Sequence, residues 1–289
     1  MLLAAAIFLV PAYILMAVVS GAFSPRFNEW LAEAEHAATL GLPSPPPPSD
    51  FTAPAIALLA ASIVLLIASF LSVAAIVRIV DTVYRGGRLG ATAAVRDALG
   101  RMLSLIGGQL LYFTAALAVL LLGFSLAGVL LVGGGLLTFL GLVVLVGAFA
   151  ALLFLAVRAS MLTQAIVTDR LGAADGFARS WRVVAGSGWR VFGYVLLLAL
   201  IGVLLGLVLG GIPTALLHLS DTTTGGVVAA TAIDGLVGIL VAPVTPIVLT
   251  LLYFDLRWQH GEPAPLPGGG ETPARPGAQG GGLPGQPGR

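Results

Sequence analysis

The strongest constraint in this sequence is Leu103–Val132, thirty consecutive residues without a charged side chain. A helix of about 20 apolar residues crosses the hydrocarbon core of a bilayer. Five further runs have that character: Leu2–Ser20, Pro54–Val80, Leu136–Val157, Val191–Leu217 and Val227–Phe254. No water bonds the backbone at that depth, so each segment must satisfy its own N–H and C=O groups as helix. The expectation is an all-α fold, a polytopic bundle of six transmembrane helices. Composition agrees: 58% of residues are hydrophobic and 9% charged, against about 25% charged in soluble domains. Gly133, Gly134 and Gly135 separate the third and fourth runs and predict a tight turn between antiparallel helices.

Arginine sets the orientation. All fourteen basic residues are arginine, and cytoplasmic loops are enriched in basic residues. The loop after the second run carries Arg78, Arg85, Arg88, Arg96 and Arg101. The loop after the fourth carries Arg158, Arg170, Arg179, Arg182 and Arg190. Arg257, Arg275 and Arg289 follow the sixth. Six crossings place these thirteen on one side, opposite Arg26, Glu29, Glu33, Glu35, Asp50 and Asp221. The expected topology is multi-pass in a plasma membrane, with both termini cytoplasmic. Trp181, Trp189, Trp258 and Tyr253 fall near the inner boundary, where amphipathic rings settle. Ser20-Gly21-Ala22 would make a passable signal-peptide cleavage site. The first run is longer than an ordinary h-region and lacks a basic start, so it reads as a retained helix.

The segments between runs differ in kind. Gly21–Phe51 has a helical candidate around Asn28–Leu40 and then Pro45-Pro46-Pro47-Pro48, which favours extended backbone. It reads as a spacer, with a partner-binding loop as the alternative. The Gly/Pro-rich tail, residues 260–289, cannot offset its ordering entropy by burial and is expected to be disordered. The membrane domain is therefore residues 1–259. Within the two arginine-rich loops, Val95, Leu99, Met102, Leu103 and Ile106 recur at helical spacing, as do Phe177, Trp181 and Val184. Each loop reads as an amphipathic helix in the inner interface. Asp97–Arg101 and Asp175–Arg179 are spaced as i,i+4 pairs. Arg96, Arg101, Arg179 and Arg182 are the candidate contacts for anionic lipid headgroups; anchoring topology alone is the alternative.

Arg88-Leu89-Gly90-Ala91 and Arg170-Leu171-Gly172-Ala173 are similar segments 82 residues apart, each preceding two runs. They suggest a unit of interfacial helix plus hairpin, used three times in parallel orientation. The inverted repeats of many transporters are a different arrangement. The first copy would lack its interfacial helix, and an upstream start is the corresponding expectation.

Chemistry is sparse. Without cysteine, disulfides, thiolate metal sites and cysteine nucleophiles are excluded. The net charge of +1 argues against nucleic acid. His36, His218 and His260 form no H-E-x-x-H, and neither a P-loop nor G-x-S-x-G occurs. No cofactor or metal is expected, and the chain reads as a non-enzyme. Asp234 is the one acid well inside a run, and such a group marks a functional site or lies near the interface. Pro243 and Pro246 should kink the same helix, and Pro11 the first. Gln109 and Gln164 are further polar groups near helix ends. Gly202, Gly206 and Gly210, spaced by four, should let helices approach closely within the chain or in a homo-oligomer. Gly123 and Ala127 suggest the same for the third run.

Two segments carry a resemblance. Gly176-Phe177-Ala178-Arg179-Ser180-Trp181-Arg182-Val183-Val184, running into Gly188-Trp189-Arg190-Val191, is one. Leu252-Tyr253-Phe254-Asp255-Leu256-Arg257 is the other. From Pro54 to Glu262 the chain resembles the membrane domain that accompanies some bacterial glycerophosphoryl diester phosphodiesterases. The catalytic part of those enzymes is a separate soluble barrel, and nothing here matches it. The resemblance implies a membrane part alone and carries over no catalytic residue. The expected function is a non-enzymatic bacterial membrane scaffold or lipid-interacting anchor. The alternative is a transporter or permease subunit using Asp234.

Overall fold

A computed structural model describes residues 1–46, 51–220 and 224–262 of the chain. Among the described residues the fold is all helix. Six helical segments are long and apolar enough to cross a membrane: Leu2–Thr39, Thr52–Tyr84, Met102–Val132, Gly135–Thr168, Gly188–Leu217 and Thr224–Gln259. The elements are α1 (Leu2–Thr39), α2 (Thr52–Tyr84), α3 (Ala91–Gly100), α4 (Met102–Val132), α5 (Gly135–Ala159) and α6 (Leu162–Thr168). They continue with α7 (Ala173–Val184), α8 (Gly188–Gly206), a π-helical turn (Leu207–Gly211), α9 (Ile212–Ser220), α10 (Thr224–Val241) and α11 (Val244–Gln259).

Several boundaries differ from the sequence reading. The helical candidate at 28–40 is no separate element: α1 runs unbroken through Pro11 to Thr39. At 38 residues it is about 57 Å long and extends well past a 30 Å hydrocarbon core. Outside the apolar run an aromatic cluster holds it. Phe23 stacks on Phe27 at 5.5 Å, and Phe51 packs on Phe23, Phe27 and Trp30. The Trp30 indole donates to the Pro45 carbonyl, folding the spacer back. The fourth span continues beyond Arg158 into α6, whose every residue but Thr163 is buried. The last span breaks at Ala242–Pro243, as proline in a helix interior requires. Gly134 takes φ +72 in the turn between α4 and α5, a conformation open to glycine.

Packing is uneven. α4 and α5 pair along their length through small residues. A Cβ placed on Gly123 would lie 2.5 Å from that of Ala148, and one on Gly141 would lie 2.9 Å from the Leu131 nitrogen. Ala127 is buried in the same seam. The outer faces of this hairpin, including Leu103, Leu122, Val132 and Leu136, are exposed and mainly apolar, with the hydroxyls of Thr114 and Ser125 among them, as lipid allows. α1 packs against α2 and α10. The tight core lies at the arginine-rich end, where Ile76, Val77, Met161, Leu162, Ile166, Val184, Phe254 and Leu256 are buried. Lipid offers no hydrophobic force between helices, so close-packed burial gathers where the helices meet water.

The two Arg-Leu-Gly-Ala segments share the conformation of their capping glycine, though not of their arginine. Gly90 caps α3 at φ −71, ψ 154, and Gly172 caps α7 at φ −71, ψ 175. Helices α3 and α7 are the two short helices expected there. Their buried faces differ from those read in the sequence. α3 packs through Ala94 and Ala98, while Leu99 and Leu103 are exposed. α7 buries Gly176, Ser180, Val183 and Val184. Small side chains let these helices lie close to α2 and α6, and that outweighs the pull of larger apolar ones. α1 with α2 and α4 with α5 form closed hairpins. In the third pair α10 lies chiefly against α1 rather than α8.

Candidate functional site

Two places hold polar chemistry. The first is the arginine-rich end. Asp169, just past α6, is the hub of an ionic cluster that ties α7 to α11. Its Oδ1 accepts from Arg257 Nη1 at 2.7 Å, and its Oδ2 from Arg179 Nε at 3.0 Å and Tyr253 Oη at 2.8 Å. Glu262 closes the ring. It takes both terminal nitrogens of Arg179, Nη1 at 2.6 Å, and Arg257 Nε at 3.1 Å. Arg179 forms two parallel bonds to one carboxylate, the strong geometry of this pair. Hydrogen bonding to Glu262 holds the Arg179 guanidinium well above its ordinary value, and the Arg179 contact holds the Glu262 carboxyl below the usual glutamate value.

Beside this ring, Ser180 Oγ donates to the Arg158 carbonyl at 2.7 Å. Arg158 Nη1 donates to the Trp181 carbonyl, and its guanidinium sits 5.1 Å and 5.2 Å from the Phe154 and Trp181 rings. On α2, buried Asp81 takes Arg78 at 2.8 Å and Arg85 at 2.7 Å. Arg78 also lies 3.3 Å from Asp97, which lies 3.5 Å from Arg101.

These contacts sort the expected headgroup arginines. Arg179 is closed into the ring, with Nε and both terminal nitrogens engaged, and Asp175 does not pair with it. The i,i+4 spacing loses to Asp169 and Glu262, which grip the guanidinium from two sides. Arg101 is partly tied to Asp97. Arg96 and Arg182 are exposed and have no acidic partner among the described residues. Tyr253 is fully buried rather than at a boundary, because its hydroxyl serves Asp169. Trp189 and Trp258 are exposed near that end. Arg96 and Arg101 line an open polar cavity of about 590 Å³ together with Arg170.

The second place is Asp234. It lines a groove of about 340 Å³ with Gly202, Gly206, Gly210 and Thr245. The expected close packing of the glycine stripe occurs only at its end. A Cβ on Gly202 or Gly206 would meet nothing within 4 Å, whereas one on Gly210 would lie 2.9 Å from Asp234 Oδ1. The reason is the splayed third hairpin: α10 turns towards α1, and Tyr13 of α1 fills the space over Gly235 and Gly238. The π-helical turn spans Gly210 and faces the same acid. Gln164 is buried, and Gln109 approaches Thr163 at 3.5 Å. His260 joins the carbonyls of Leu256 and Ala185. The side chain of His218, and Asp50, Asp221 and the tail beyond 262, lie outside the described residues.

Sequence reasoning passed over Asp81 and Asp169, counted Arg170 only as a loop arginine and as the start of a repeat segment, and used Glu262 only to mark an end. A lone acid within an arginine-rich segment was the available signal for each acid. The two segments that carried the resemblance meet at Asp169, one bringing Arg179 and the other Tyr253 and Arg257. No group of three or more potential metal ligands occurs among the described residues.

A family model described as a domain of unknown function (DUF7847) matches residues 1–256, and the chain belongs to that family. No curated protein and no solved structure matches it.

Proposed function

We propose that this member of the DUF7847 family is a non-enzymatic, multi-pass scaffold and lipid-interacting anchor of a bacterial plasma membrane, with its arginine-rich end and both termini in the cytoplasm. One observation carries the reading: some arginines of that end are held by acids and others are not. Arg179 and Arg257 are locked into the Asp169–Glu262 ring, a structural clamp. Arg96, Arg170 and Arg182 are exposed without an acidic partner among the described residues, level with the ends of apolar helices. Arginines at that level gain about 1 kcal/mol each from an anionic leaflet. Kinship with the membrane part of glycerophosphoryl diester phosphodiesterase proteins belongs to the same proposal, supported by the segments that meet at Asp169.

Native mass spectrometry of the detergent-released protein tests it. Anionic lipids should be retained over zwitterionic ones, and the Arg96→Gln/Arg182→Gln double variant should lose that preference. Equal retention of both lipid classes would refute the anchor. Reporter fusions at residues 90 and 175 should register cytoplasmic, and a periplasmic signal would reverse the orientation.

A second reading has its own observation. The groove between α8 and α10 opens onto Asp234, and an ionisable group at membrane depth is costly unless used. As a transporter or permease subunit, the chain would pass a cation or a proton-linked solute along this groove. Asp234→Asn should then abolish uptake at unchanged abundance. An unaltered phenotype favours the scaffold.

A further inference from the structure

We infer that the cavity between α3, the start of α4 and the turn before α7 is a binding site for a phosphate-bearing anion, either a lipid headgroup or a soluble phosphate. The inference deepens the anchor reading and rests on it only for the lipid source. The cavity measures about 590 Å³, within the range of small-molecule sites, roughly 300–1,000 Å³. Its charged lining is Arg96, Arg101 and Arg170 against the single acid Asp97, and Ser104 adds a hydroxyl. Asp97 is offset from outside the cavity by Arg78, 3.3 Å away. The cavity therefore keeps a positive excess, and planar guanidinium groups suit phosphate geometry.

Two features set these arginines apart from residues that merely fix topology. Arg101 Nε is shielded from solvent and makes no hydrogen bond among the described residues; Asp97 Oδ2, 3.5 Å away, holds it only as a long ion pair. Arg170 is the only non-glycine described residue with positive φ, at +57. A bulky L-residue is rarely held there, and strained positions of this kind gather at binding sites. The same turn in the first copy takes no such conformation at Arg88, which lies outside the cavity. The chain thus bends at Arg170, and only there, where a third arginine completes the lining.

The test titrates the full-length protein, in neutral detergent freed of lipid, with short-chain phosphatidic acid, short-chain phosphatidylglycerol and inorganic phosphate, followed by calorimetry. At least one probe should bind. Arg170→Gly and Arg96→Gln should each weaken it about tenfold, the worth of one charge-assisted contact. Arg182→Gln, outside the cavity, should change it less than twofold. Arg170→Gly should melt no lower than the parent, because glycine accepts φ +57 without strain.

Lipid displaced by inorganic phosphate assigns the site to the phosphate group from either source. Lipid that phosphate fails to displace, but that Arg170→Gly releases, assigns it to the headgroup. Phosphate binding through Arg170 without any preference for anionic lipid keeps the cavity and removes the anchor. An anionic-lipid preference that survives Arg96→Gln and Arg170→Gly keeps the anchor and removes the cavity. Absence of binding by all three probes, or equal weakening by Arg182→Gln, also overturns the site.

Discussion

Asp169→Asn should destabilise this protein far more than a matched change in an equally short ion pair. Asp169 is 15% exposed and meets two arginines, each 16% exposed, at 3.0 Å and 2.7 Å. Asp255 meets Arg190 at 2.8 Å, yet is 45% exposed against 44% for its partner. Contact length therefore predicts equal effects, while burial predicts unequal ones. Removing one member of a buried pair costs about 3–5 kcal/mol, because the charge left behind is neither hydrated nor matched. Glu262 still grips both arginines, and the site keeps some solvent access, so the low end, about 3 kcal/mol, is the reasoned value. An asparagine amide would also turn a donor towards a guanidinium that only donates. Asp255→Asn should cost about 0–1 kcal/mol. A chain of this size shifts its Tm by roughly 2–4 °C per kcal/mol, so Asp169→Asn should melt roughly 6–12 °C lower. Tryptophan fluorescence in detergent reads the transition, since Trp181 on α7 and Trp258 on α11 lie on the two helices the cluster joins. Equal Tm losses for the two variants would refute the claim that burial at Asp169 makes this cluster a clamp.

Other outcomes follow from the same geometry. Gly141→Ala should destabilise by about 1–3 kcal/mol, the scale of overpacking, since its Cβ would press on the Leu131 backbone. Gly202→Ala should be neutral or stabilising because its site is open; paired thermal melts compare the two. Glu262 titrates below its ordinary value of 4.5 because Arg179 bonds its charged form. Its contribution is therefore present above that pH and fades as pH falls through the lowered folded value. Tm measured from pH 6 down to pH 3 should drop, and Glu262→Gln should flatten the drop. Asp234→Asn should leave Tm within a few degrees while altering any solute flux through the groove; a large Tm loss would make Asp234 a packing residue instead.

The sequence alone determined the six long helices, most of their ends (though not that of α1, which runs to Thr39 and not Ser20) to within about three turns, and the gathering of the loop arginines at one end. Those features follow from hydropathy over about 20 residues and from parity of crossings, which are local or additive quantities. The glycine turn at 133–135, the break at Pro243 and the small-residue seam at Gly123 and Ala127 were legible for the same reason, since each depends on one or two residues. Asp234 was visible as a lone acid in a run. Tertiary structure decided what the polar side chains do. Arg179 looked like a headgroup contact on an interfacial helix, with Asp175 as its i,i+4 neighbour; its partners, Asp169 and Glu262, lie ten and eighty-three residues away. The glycine stripe at 202–210 looked packed, but α10 lies chiefly against α1 and leaves the stripe lining a groove. A pairing between distant segments carries no periodicity, so ion-pair partners, the buried face of a short helix and the bend at Arg170 exist only once the chain has closed on itself.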